Sequence, residues 1–211
     1  MQKFFPILLA AALGMPCSAM AKEYLYIHNT NSGEISKISI PEHEVVGTID
    51  IGLYMDFITK SPDNRTLYVN RINGDLPGAR VGSIGVDGEL IVIDTATDEI
   101  KWRLDLDGMP HHMSVSNDGK FIYVPYYDTR WLGVVDVEKR QIVKKIFIGH
   151  GGHGTKLSAD GERLYVGSMM NDLFSVIDTR SLKVVNAFNF RDGVRPFAFP
   201  KDESGIYVQQ S

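Results

Sequence analysis

An all-β fold built from one repeated four-stranded unit is predicted here by three markers that keep a common beat. A Leu/Ile-Tyr-Val/Ile tripeptide recurs as Leu25-Tyr26-Ile27, Leu67-Tyr68-Val69, Ile122-Tyr123-Val124, Leu164-Tyr165-Val166 and Ile206-Tyr207-Val208, at intervals of 42, 55, 42 and 42 residues. An aspartate marker, Ile93-Asp94-Thr95, Val135-Asp136-Val137 and Ile177-Asp178-Thr179, repeats at 42. Turn signals precede four of the tripeptides: Ser61-Pro62-Asp63-Asn64, Ser116-Asn117-Asp118-Gly119, Ser158-Ala159-Asp160-Gly161 and the weaker Pro200-Lys201-Asp202-Glu203. A fixed period of this length is the signature of a repeat architecture.

Before the repeats lies a leader. Lys3 gives a positive start, Phe4 to Leu13 form an apolar run, and Ala19-Met20-Ala21 is an A-x-A cleavage pattern. The run is too short for a membrane-spanning helix, which needs about 20 apolar residues. Residues 1–21 are therefore expected to be a signal peptide and 22–211 the mature domain, periplasmic or extracellular, with no membrane span after cleavage. Cys17 lies in the leader and is the only cysteine, so the mature chain has neither a disulfide nor a thiolate metal site.

The mature chain opens with the strand pair Tyr24 to Ile27 and Glu34 to Ile40. The cleanest repeat then reads as four strands. Met113 to Ser116 is the inner one, and Asn117-Asp118-Gly119 makes the tight turn that Asp and Gly favour. Lys120 to Val124, Trp131 to Val137 and Gln141 to Ile148 follow. Helix is disfavoured, because β-branched and aromatic residues dominate and turns recur at short spacing. The interval of 55 holds an insertion between Asn70 and Glu89, rich in glycine, which reads as a long loop.

Four strands per unit at about 40 to 45 residues is the pattern of a β-propeller blade. The Ser-Pro/Ala-Asp-Gly/Asn turn, the Leu-Tyr-Val strand and the Val-Ile-Asp-Thr strand resemble the YVTN-type β-propeller repeat family across the whole mature chain. The resemblance implies the fold and not an activity. Related propellers occur in amine dehydrogenases, haem nitrite reductases and nitrous oxide reductase. At this period the mature chain holds about 4.5 blades, and such rings usually close with seven. The expectation is that the sequence is the N-terminal part of a seven-bladed ring, with the first strand pair in a shared closing blade.

Hydrophobic residues make up 44% and charged residues 23% of the chain, a globular balance. With 22 basic and 26 acidic residues the net charge is −4, which argues against nucleic acid bound through the whole surface. No serine-nucleophile elbow, P-loop or GxGxxG is present. The periodic Asp94, Asp136 and Asp178 suit hairpin turns, where Asp side chains hold backbone N–H groups.

The same ruler singles out one slot at the start of the inner strand. Asp56, His111, His153 and Arg195 share it, and the next in-phase positions are apolar or small (Ile58, Met113, Thr155, Phe197). A polar or ionisable residue thus opens an inner strand four times, near the mouth of the central channel, where ligand sites form. His112 and His150 stand beside it, so His111, His112, His150 and His153 are candidate metal ligands for copper or zinc, or an axial ligand for non-covalent haem. No C-x-x-C-H motif is present for covalent haem. The plain alternative is that these histidines buttress neighbouring blades. Trp131 is a candidate stacking surface for a sugar or base, or a packed strand residue. Two functions follow: a binding scaffold for a protein, glycan or small molecule, or a redox subunit using the His-rich mouth.

Overall fold

A computed structural model describes residues 22–72 and 87–210. The expected signal peptide and most of the glycine-rich insertion lie outside the described residues. The described chain holds seventeen strands in five antiparallel sheets, each radiating as one blade. The first has three strands, β1 (Glu23–Asn29), β2 (Glu34–Ile40) and β3 (Val45–Asp50). The second is β4 (Met55–Lys60), β5 (Thr66–Ile72), β6 (Gly88–Asp94) and β7 (Ile100–Leu106). The third is β8 (Ser114–Val115), β9 (Phe121–Pro125), β10 (Trp131–Asp136) and β11 (Gln141–Phe147). The fourth is β12 (Gly152–Leu157), β13 (Arg163–Ser168), β14 (Leu173–Asp178) and β15 (Lys183–Asn189). The last is the pair β16 (Val194–Ala198) and β17 (Tyr207–Gln210).

The tripeptide owes its recurrence to the two-residue period of a strand sandwiched between blades. On β5, Leu67 and Val69 face the first sheet and join Ile35, Ile49, Met55, Ile91 and Ile93. Tyr68, between them, points the other way and packs with Leu90, Val92, Met113, Ile122, Val124 and Val135. One blade further, Tyr123 meets Leu132, Val134, Leu164, Val166 and Ile177. Phe174, Val194 and Phe197 close the last layer, with Tyr165, Ile206 and Val208 against them. Each fully buried aliphatic or aromatic side chain stabilises by roughly 1.5–3 kcal/mol. The outermost strands β11 and β15 are largely exposed, which suits a blade's outer edge.

Side chains rather than apolar packing hold the turns. Ser61 Oγ donates to Asp63 Oδ1 at 2.6 Å and Ser116 Oγ to Asp118 Oδ1 at 2.7 Å. Ser158 Oγ repeats the contact on Asp160 Oδ1 at 2.6 Å. Each serine oxygen also accepts the N–H five residues on, from Thr66, Phe121 and Arg163. The left-handed corner falls on Asn64, Gly119 and Gly161, with φ of 61°, 73° and 74°, a conformation that Gly and Asn adopt at least cost. Asp94, Asp136 and Asp178 accept N–H groups from Ala96, Lys139 and Ser181 at 2.8–2.9 Å.

One boundary differs from the sequence expectation. The inner strand expected over Met113 to Ser116 is paired within its own blade only at Ser114 and Val115. Just before it, His112 turns to the neighbouring blade and forms a parallel bridge with Gly154, while Pro110 and His111 still meet Tyr126 and Pro125 of their own blade.

Candidate functional site

Three of the four positions of the slot, Asp56, His153 and Arg195, coincide with breaks in inner-strand register, while His111 lies just before β8. In β4 the pairing shifts between Met55 and Phe57, leaving Asp56 in the bulge. In β12 it shifts between Gly152 and Gly154, leaving His153 there. In β16 it shifts between Val194 and Phe197, across Arg195 and Pro196. A bulge adds one residue to its strand and re-aims that side chain. Here it turns polar groups away from the apolar layers and toward one another.

Backbone bonds between blades draw the histidines together. His112 N–H donates to His153 O at 3.0 Å, and Thr155 N–H donates to His112 O at 3.1 Å. Thr155 Oγ1 adds a second bond to His112 O at 2.8 Å. On the opposite flank Asn70, fully buried, splints the site. Its Nδ2 donates to His111 O at 2.6 Å, and its Oδ1 accepts from Phe57 N–H at 2.9 Å.

The result is a cluster of three imidazoles. His111 and His153 stack with centroids 4.7 Å apart, and His112 meets His153 edge-on at 4.4 Å. One ligating atom from each of His111, His112 and His153 lies within 4.8 Å of the others. Phe57 stacks on His112 at 4.7 Å, and Tyr127 sits edge-on to His111 at 5.1 Å. Asp56 Oδ2 lies 3.1 Å from His111 Nδ1, with both side chains about nine-tenths buried. Their geometry is off line for a hydrogen bond, so both atoms stay unsatisfied among the described residues.

Burial governs the charge state here. Desolvation, reinforced by the neighbouring imidazoles His111 and His112, pushes His153 down to about 3. His112 is lowered too, again chiefly by desolvation, with Asp56 pulling the other way. A cavity of about 610 Å³ opens beside the pair, bounded by Phe57, His112, His153, Lys156, Arg195 and Phe197. Arg195 is exposed at this rim.

Not every candidate joins the cluster. His150 lies outside the trio, with its carbonyl accepting from Asn171 Nδ2. Trp131 opens β10, two strands out from the inner edge, and packs edge-on against Phe147 at 5.7 Å. Asn70, Thr155 and Phe57 were not singled out by sequence. Asn70 alone left a signal, as the polar residue that follows a Leu-Tyr-Val tripeptide in a buried strand.

Fold and site together define an all-β propeller whose inner strands carry buried histidines beside a cavity. The family model of the cytochrome D1 heme domain matches residues 81–194, more than half of the chain. The chain belongs to that family. Its fold is similar to that of hydrazine synthase from Kuenenia stuttgartiensis, with a TM-score of 0.74 at 21% identity, over 88% of this chain and 51% of that one. It is also similar to the dihydro-heme d1 dehydrogenase NirN in complex with DHE, with a TM-score of 0.66 at 18% identity, over 88% of this chain and 39% of that one. The chain thus spans about half the length of the first and about two-fifths of the second. No curated protein matches it.

Proposed function

We propose that this chain is the propeller domain of a redox protein that binds a haem-type tetrapyrrole at the cavity beside His112 and His153. One observation carries the reading: the family match to a haem domain spans all three clustered histidines. It favours the redox alternative over a general scaffold, and the repeats keep their resemblance to the YVTN type. The leader-like residues 1–21 support export to the periplasm or exterior.

The residues fit such a group. His112 and His153 border the cavity with imidazole nitrogens, the usual axial donors for haem iron. Phe57 and Phe197 supply flat apolar walls, and Lys156 and Arg195 place two cations where carboxylate substituents would be held. Bound there, the group would supply one-electron chemistry at its iron. The protein's own contribution is positioning. Thr155 fixes the His112 backbone, Asn70 fixes that of His111, and Asp56 Oδ2 lies 3.1 Å from His111 Nδ1. Visible absorption of the protein isolated from its own host tests the reading. An intense Soret-region band is expected, and a colourless protein that takes up no added haem contradicts it.

A further inference from the structure

We propose that His111, His112 and His153 also form a direct binding site for one divalent transition-metal ion of the zinc and copper class, with Asp56 behind His111 and one coordination position open to the cavity. The proposal goes beyond the haem reading because it requires no tetrapyrrole.

Three features of the cluster support it. One nitrogen from each imidazole already lies within 4.8 Å of the other two. A tetrahedral ion with bonds of about 2.0 Å needs neighbouring nitrogens about 3.3 Å apart, so side-chain rotations of an ångström or so complete the shell. Imidazole is a preferred donor for zinc and copper. Three protein nitrogens with a fourth position open is the arrangement of reactive rather than structural zinc sites.

The unsatisfied pair is the second, independent sign. Asp56 Oδ2 and His111 Nδ1 are buried 3.1 Å apart without a hydrogen bond. A buried carboxylate left in that state is costly. A carboxylate facing the far nitrogen of a metal-bound imidazole is the usual second partner of such a ligand, fixing its tautomer and raising its basicity. Small rotation of His111 toward an ion through Nε2 would bring its Nδ1–H onto Asp56. The scaffold is held where this matters: the His112–His153 backbone bond and the Asn70–His111 bond tie the segment just before β8, which carries His111 and His112, to His153 in β12 and Asn70 in β5. His150, outside the trio, is the built-in control.

The ion and an iron axial bond would compete for His153, so the two occupants exclude each other there. Calorimetric titration of the chelator-treated full chain with zinc chloride, and separately with copper(II) chloride, tests the site without any haem. Binding of one equivalent is expected. Each of His112→Ala and His153→Ala should weaken it at least about 100-fold, and Asp56→Asn by about 10- to 100-fold. His150→Ala should bind as wild type does. X-ray absorption of the zinc-loaded wild type should show three imidazole shells at about 2.0 Å, which holds the proposal testable even where a variant does not fold. No stoichiometric binding by wild type, fewer than three imidazoles, or loss of binding in His150→Ala overturns it. Haem uptake is read from the absorption spectrum alone, so either idea can fail without the other.

Discussion

His112 donates its backbone N–H to the carbonyl oxygen of His153 at 3.0 Å, tying two blades together at their inner edges. The two residues are 41 positions apart, so hydrogen bonds between repeats bring their imidazoles together. Thr155 closes the link from the other side, with both its N–H and its hydroxyl on His112 O.

Thr155→Val keeps the shape of the side chain and removes that hydroxyl. The variant should lose about 1–3 kcal/mol of stability, because the hydroxyl makes two hydrogen bonds, to His112 O and with Ser114 Oγ, both at 2.8 Å, each with a net worth of about 0.5–1.5 kcal/mol. Chemical denaturation measures it. Unchanged stability would mean the inter-blade link is not held by this side chain.

Asn70→Ala should cost more, about 2–3 kcal/mol. It strands the His111 carbonyl and the Phe57 N–H in a fully buried place, and each buried group left unpaired costs on the order of 1–3 kcal/mol. Asn70→Asp should not rescue it, since a carboxylate cannot donate to His111 O. Equilibrium melts of the two variants beside wild type check both statements.

The fold was legible because its signals are local and repeated. Leu67-Tyr68-Val69 and Ile122-Tyr123-Val124 show a strand buried on both faces, whereas Leu25, Ile27 and Tyr207 in the end copies are exposed, and Ser116-Asn117-Asp118-Gly119 shows the turn before the strand. Both hold in the structure at the expected places. The ruler also marked Asp56, His111, His153 and Arg195 as one slot. The bulges that aim Asp56, His153 and Arg195 left no mark, since a register shift depends on the partner strand and not on composition. The same holds for the parallel bridge between His112 and Gly154, a contact between blades that intra-blade periodicity does not encode. Adjacency on the chain suggested His150 as a companion of His153, but His150 precedes β12 and stays outside the cluster.

The turn aspartates predict an acid limit. Asp63, Asp118 and Asp160 are held below the usual carboxylate range, first by the serine hydroxyl of their turn and then by backbone N–H groups. A lowered carboxylate pKa contributes stability above its unfolded value, near 3.9, and that contribution is lost as pH falls through the folded value. Urea midpoints should therefore fall below about pH 4. Replacing all three serines with Ala should raise these carboxyl pKa values in NMR titrations and flatten the fall. Midpoints equally steep with and without the serines would contradict the account.

The central claim, haem held beside His112 and His153, is tested most directly by titrating the full chain with hemin and following the Soret band. Wild type should saturate at one equivalent, with a spectrum of imidazole-ligated iron. The double variant His112→Ala/His153→Ala, confirmed as folded by circular dichroism, should lose that ligation and bind at least about tenfold more weakly, while Trp131→Ala should titrate as wild type. An identical spectrum and affinity in wild type and the double variant would contradict the account.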